Sequence, residues 1–147
     1  MNTTVKKLSR FLLIILAVIA LPVAYAFVDD AYSRALEAAI PAVKEGYLVR
    51  QEHWSGSLVT KQPSVVKHQL FAGNSYWFWL ASDEDSAQVT VHIYDPNGKL
   101  TETESWQRGN MAAAKIDPKV TGTYLIVFSI EQSKAKKNRW ALAYGFK

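Results

Sequence analysis

Apolar and polar positions alternate most cleanly between Tyr76 and Leu80. Tyr76, Phe78 and Leu80 fall on one side of an extended chain there, and Trp77 and Trp79 on the other. Both faces of this strand are apolar, so it requires cover on both sides or a ligand on one. The same period of two runs through Ser64–Phe71, Gln88–Tyr94, Tyr124–Ile130 and Trp140–Phe146. Turn signals separate the runs: Ala72-Gly73-Asn74, Asp95-Pro96-Asn97-Gly98, Gln107-Arg108-Gly109-Asn110 and Thr121-Gly122-Thr123. Tyr47–Trp54, Leu58–Thr60, Lys99–Trp106 and Met111–Ile116 complete a set of about eight short strands, with Ser55-Gly56-Ser57 read as a turn. This spacing predicts a mainly β fold, an antiparallel β-sandwich or jelly-roll-like domain.

One segment has helical spacing instead. Between Asp29 and Ile40, the residues Tyr32, Ala35, Leu36, Ala39 and Ile40 form one apolar stripe, with Asp29 or Asp30 as the cap. Pro41 is expected to end or kink this helix, with at most a further turn before Gly46. A helix of this length is marginal alone. Its stripe is therefore expected to lie on the outward Trp77 and Trp79.

The N-terminus changes the picture of charge and address. Lys6, Lys7 and Arg10 precede an uninterrupted apolar run from Phe11 to Ala20, and Ala24-Tyr25-Ala26 supplies a small-x-small cleavage pattern. Residues 1–26 thus read as a signal peptide, 27–46 as an N-terminal helical segment and 47–147 as the β-sandwich. An uncleaved N-terminal membrane anchor is the alternative, at the short limit for spanning a bilayer. The full chain of 147 residues carries a net charge of +4. Removing three basic residues with the leader leaves +1, which does not support a general affinity for nucleic acid. There is no cysteine, so disulfides, thiol nucleophiles and cysteine–zinc sites are excluded. An exported, cysteine-free domain fits the bacterial periplasm or cell exterior, with no stable membrane span after cleavage.

Several motifs lie at corresponding turns and core positions: Leu70-x-x-Gly73-x-x-Tyr76, Val91-His92-Ile93-Tyr94-Asp95-Pro96-Asn97-Gly98, and Ile116-x-Pro118-x-x-Thr121-Gly122-Thr123-Tyr124-x-Ile126, followed by Trp140 and Tyr144. Together they resemble the bacterial pre-peptidase C-terminal domain family over roughly Val66 to Phe146. The resemblance implies a β-sandwich module of the kind appended to exported enzymes, some relatives of which bind collagen, polysaccharide or calcium. The chain departs from that arrangement in that the module is expected to stand without an enzyme.

The remaining candidates are weighed residue by residue. Trp77 and Trp79 could stack on sugar rings if exposed, or support the helix if covered. Trp54 and Trp106, near predicted turns, could extend an aromatic patch or simply pack. Asp83, Glu84 and Asp85 offer oxygens of the kind calcium takes, without the spacing of a calcium loop. Lys134, Lys136, Lys137 and Arg139 could meet an anionic polymer, or blunt a sheet edge. His92 and Asp95 could form an acid–base pair, yet no nucleophile accompanies them. There is no Gly-x-Ser-x-Gly elbow and no phosphate-binding glycine loop. The expected function is a non-catalytic exported binding or interaction module of the envelope, structural or with a protein partner. A carbohydrate-binding module using exposed tryptophans is the alternative, and a hydrolase is the reading the sequence supports least.

Overall fold

The computed structural model describes residues 29–147; the signal peptide read in residues 1–26 lies outside them. One helix, α1 (Asp30–Lys44), precedes eight strands: β1 (Leu48–Val59), β2 (Ser64–Leu70), β3 (Tyr76–Ser82), β4 (Gln88–Tyr94), β5 (Glu104–Arg108), β6 (Met111–Ile116), β7 (Gly122–Gln132) and β8 (Lys137–Phe146). They form a five-stranded sheet of order β1-β8-β3-β6-β5 and a three-stranded sheet of order β2-β7-β4. All pairings are antiparallel. The fold is a β-sandwich with a helix on the outer face of its larger sheet.

Side-chain alternation builds two cores on the two faces of the larger sheet. Inward, Tyr76, Phe78 and Leu80 of β3 meet Val89, Val91 and Ile93 of β4 and Ile126, Phe128 and Ile130 of β7. Outward, Trp77 and Trp79 pack with Ala113 of β6, Ala143 of β8 and Ala35, Ala39 and Ala42 of α1. The central strand is accordingly buried along its whole length.

The helix lands with a different stripe from the one its sequence suggests. Ala31, Ala35, Ala39 and Ala42 are buried, whereas Tyr32 and Leu36 are half-buried and Ile40 is 51% exposed. The reason is volume. Two stacked indoles already fill the interface, so only methyl side chains let the helix axis approach, and the larger residues move to its flank. Asp29 accepts the Tyr32 amide as the N-cap (3.2 Å), and the helix continues through Pro41 to Lys44. Pro41 therefore does not end it.

A second correction concerns β1. Ser55-Gly56-Ser57 is not a turn but the middle of an unbroken strand paired to Ala141, Trp140 and Arg139. Gly56 lies against the Trp140 indole, where an added Cβ would stand 3.3 Å from the ring. Glycine here marks close approach rather than reversal. Gly145 does the same for backbone: a Cβ there would stand 2.7 Å from the Leu48 carbonyl oxygen. The stretch read as Lys99–Trp106 is a strand only from Glu104, the preceding residues forming a loop.

Candidate functional site

Antiparallel pairing gathers the loops at two ends of the sandwich. Leu48 pairs with Phe146, Phe146 with Tyr76, Tyr76 with Ile116, and Leu70 with Gly122. The α1–β1 link, the β2–β3 turn, the β4–β5 loop and the β6–β7 loop therefore share one end, here termed the apolar end. Hydrogen bonds tie them together. The hydroxyls of Tyr47 and Ser75 lie 2.7 Å apart, and Ser75 and Lys147 exchange backbone hydrogen bonds at 2.9 and 3.1 Å. The Ala72 amide donates to Thr121 Oγ1 at 3.0 Å, and the Tyr124 hydroxyl donates to the Val120 carbonyl at 2.7 Å.

What these loops display is unusual for turns. Among the described residues, the large apolar side chains that stand exposed are Ile40, Val43, Leu48, Val59, Val65, Phe71, Leu100 and Val120. All but Val59 and Val65 lie on the last turns of α1, at the start of β1 (Leu48) or on the loops of the apolar end. Leu48 and Val120 are 68% and 69% exposed. Water gains nothing from such residues, so a cluster of them marks a contact surface more often than an isolated one does.

A cleft of about 590 Å³ opens beside Val120, between the Asp95–Lys99 turn and the Lys119–Val120 loop, with Thr101, Thr103 and Tyr124 also lining it. Both walls are fixed from below. Asp95 Oδ1 accepts the amides of Asn97 and Lys99, each at 2.9 Å, which sets the turn. Glu102, whose side chain is 9% exposed, accepts the Ile93 amide at 2.7 Å and sits 2.8 Å from His92 Nδ1. His92 thus partners Glu102, not Asp95, and the carboxylate serves as a clasp on the β4–β5 loop.

The tryptophans proposed for ligand stacking occupy other places. Trp77 and Trp79 are 7% and 1% exposed beneath α1, with ring centroids 6.5 Å apart. They do not form an exposed platform, because the alanine face of the helix covers them. Trp106 stands beside them on β5, half-buried, with the Arg108 guanidinium 4.3 Å from its ring. Trp54 lies on the other face, packed against the edge of His68 at 5.2 Å and against Tyr144 at 5.6 Å. The four therefore make no single aromatic strip.

That second cluster is the main titratable one on the sandwich edge. Tyr144 donates from its hydroxyl to Glu52 Oε2 at 3.2 Å. Burial raises the Tyr144 phenol, and the hydrogen bond to Glu52 adds to the rise. Burial also holds the His68 imidazole below its ordinary value, with Glu52 pulling in the opposite direction. A register shift between Val49 and His53 sets the bulge that carries Arg50 and Glu52 to this edge.

The opposite end collects both charged candidates. Asp85 pairs with Arg34 at 2.7 Å. Glu84 accepts the hydroxyl and amide of Ser86, which lowers its carboxyl, the hydroxyl contributing most. Among the described residues no three of His, Cys, Asp and Glu gather to hold a metal. Asp83 thus lies in the turn, whereas Asp85 is held in an ion pair. Lys134, Lys136, Lys137 and Arg139 are exposed, and the backbone of Lys134 and Arg139 meets the acidic loop: the Lys134 amide donates to Ser86 Oγ, and the Asp83 amide to the Arg139 carbonyl. An anionic polymer would meet carboxylates beside these cations.

The apolar end was missed because turn residues are read as polar. Its signal was nevertheless present, as single apolar residues placed inside turn motifs: Leu100 directly after Asn97-Gly98-Lys99, and Val120 between Lys119 and Thr121. No protein-family model matches this chain, and no curated protein matches it.

Proposed function

We propose that this chain is a non-catalytic binding module of the bacterial envelope, of the pre-peptidase C-terminal type, that holds a macromolecular partner against its apolar end. The observation that carries the reading is the gathering of Ile40, Val43, Leu48, Phe71, Leu100 and Val120 at one end of the sandwich, where six of the eight exposed large apolar side chains of the described residues lie. Loops on a rigid sandwich are where such modules place their contacts. Export rests on the leader-like residues 1–26. The absence of catalysis is supported by what the charged groups do: Glu102 clasps a backbone amide, Asp95 sets a turn and Glu52 receives the Tyr144 hydroxyl. A sugar-stacking role is disfavoured, since Trp77 and Trp79 lie under α1.

Sedimentation with an isolated envelope fraction tests this reading. The exported chain is expected in the pellet, and a Phe71→Ser/Val120→Ser variant with an unchanged melting curve in the supernatant. Equal pelleting of both would remove the apolar end as the contact surface.

A further inference from the structure

The apolar residues of this end come with cations beside them. Val43 is followed by Lys44, Leu100 is preceded by Lys99, and Val120 is preceded by Lys119. Phe71 sits on the turn whose Ser75 is bonded to Lys147, and Leu48 lies two residues from Arg50. These five basic residues stand against four acidic ones on the loops of the same end, Glu45, Asp95, Glu102 and Asp117, while Glu104 at the start of β5 pairs with Lys115. Asp95 is engaged by two backbone amides of its own turn.

We propose that the partner held by the apolar end is the surface of an anionic phospholipid bilayer, with Leu48, Phe71, Leu100 and Val120 entering the headgroup–acyl boundary and the adjacent lysines meeting phosphates. This deepens the binding-module reading and rests on it. The dyads decide between a lipid surface and a protein. Contact residues at protein interfaces are depleted in lysine, because a compact, strongly hydrated ammonium is costly to cover. At a bilayer the same ammonium stays in the headgroup layer, its stem lying along the apolar boundary. An apolar tip with a neighbouring lysine therefore matches both layers of the interface at once. Residues spread over three separate loops and the start of β1 suit a broad plane that needs no complementary groove.

The test uses protein-free vesicles beside the envelope fraction. The exported chain is incubated with vesicles of phosphatidylcholine containing about one third phosphatidylglycerol, and with phosphatidylcholine alone. Binding to the anionic vesicles is expected, weakened by salt and much reduced on the neutral ones. Leu48→Ser/Phe71→Ser/Val120→Ser is expected to lower that binding at least about tenfold through lost apolar insertion. Lys44→Gln/Lys99→Gln/Lys119→Gln should do so by at least about tenfold through lost charge attraction. Val59→Ser/Val65→Ser, at the far end, should leave it unchanged. Pelleting with the envelope fraction but not with anionic vesicles would overturn the lipid assignment and leave the binding module with a protein partner. Failure with both would overturn the two together. Vesicle binding that survives the serine triple variant would overturn the role of these loops.

Discussion

The two ends of the sandwich solve the same problem, the closing of four loops over strand termini, in opposite ways. At the far end the loops satisfy one another. Asn138, 2% exposed, donates to Thr60 Oγ1 and the Ala135 carbonyl and accepts from Ser133, while Ser82 and Asn110 bind across the β3–β4 and β5–β6 turns. Acidic and basic residues there face each other. At the apolar end the polar groups are equally well bonded within the loops, but the side chains left over are leucine, phenylalanine and valine. One end is closed chemistry. The other is left incomplete in a way that stability does not require, and that difference is what the proposed contact surface rests on.

The contrast can be broken or sharpened by substitution. The largest effect is expected beneath the helix that joins the two ends: Trp79→Ala should cost about 3–5 kcal/mol, read as a fall in melting temperature, because the cavity lies where α1 rests on the sheet. A loss under about 1 kcal/mol would show that the helix is barely docked. Next, at the far end, Asn138→Ala should cost about 1–3 kcal/mol in denaturant unfolding, since it removes the hydrogen bonds to Thr60 and Ala135 and leaves the Ser133 hydroxyl without its acceptor. At the apolar end, Leu48→Ser, Phe71→Ser and Val120→Ser should each stay within about 0.5 kcal/mol of the parent chain while contact with the envelope is lost. If the serine variants destabilise as much as Asn138→Ala, the apolar end is structural and the contrast between the ends collapses.

The smallest expected effect belongs to neither end. Burial holds His68 below its ordinary value of 6.5, so the unfolded chain binds the proton more readily than the folded one. Stability from this group is fully present above that value and is lost as pH falls through the lower folded value. His68→Gln should flatten the melting temperature between neutral pH and mild acid. An identical pH profile in the variant would assign the acid sensitivity elsewhere.

The sequence made the layers legible and the surfaces less so. Alternation in Tyr76–Leu80 was enough to place Trp77 and Trp79 on the face away from the sandwich core, because period two leaves a strand no other choice. The helix was found with Ala35 and Ala39 of its buried stripe, but Ala31 and Ala42 were not and Ile40 was misplaced, since apolarity ranks Leu36 and Ile40 above alanine whereas alanine lets the helix sit closest to the two indoles. Gly56 read as a turn for a similar reason: glycine signals both reversal and close contact, and only the position of Trp140 tells them apart. The candidate site was least visible. Its residues come from the end of α1, the start of β1 and three loops distant along the chain, and no local pattern states that Phe71 and Val120 will stand on adjoining turns.

The stacked indoles under α1 have an optical consequence. Two parallel rings 6.5 Å apart in a dry setting should give a near-ultraviolet circular dichroism band and a blue-shifted emission that exist only while the helix is seated. Following those signals alongside the far-ultraviolet signature of the strands reports the order of events on heating. A spectrum that reddens before the strands melt would identify α1 as a separately detachable clamp, and coincident changes would make helix and sandwich one cooperative unit.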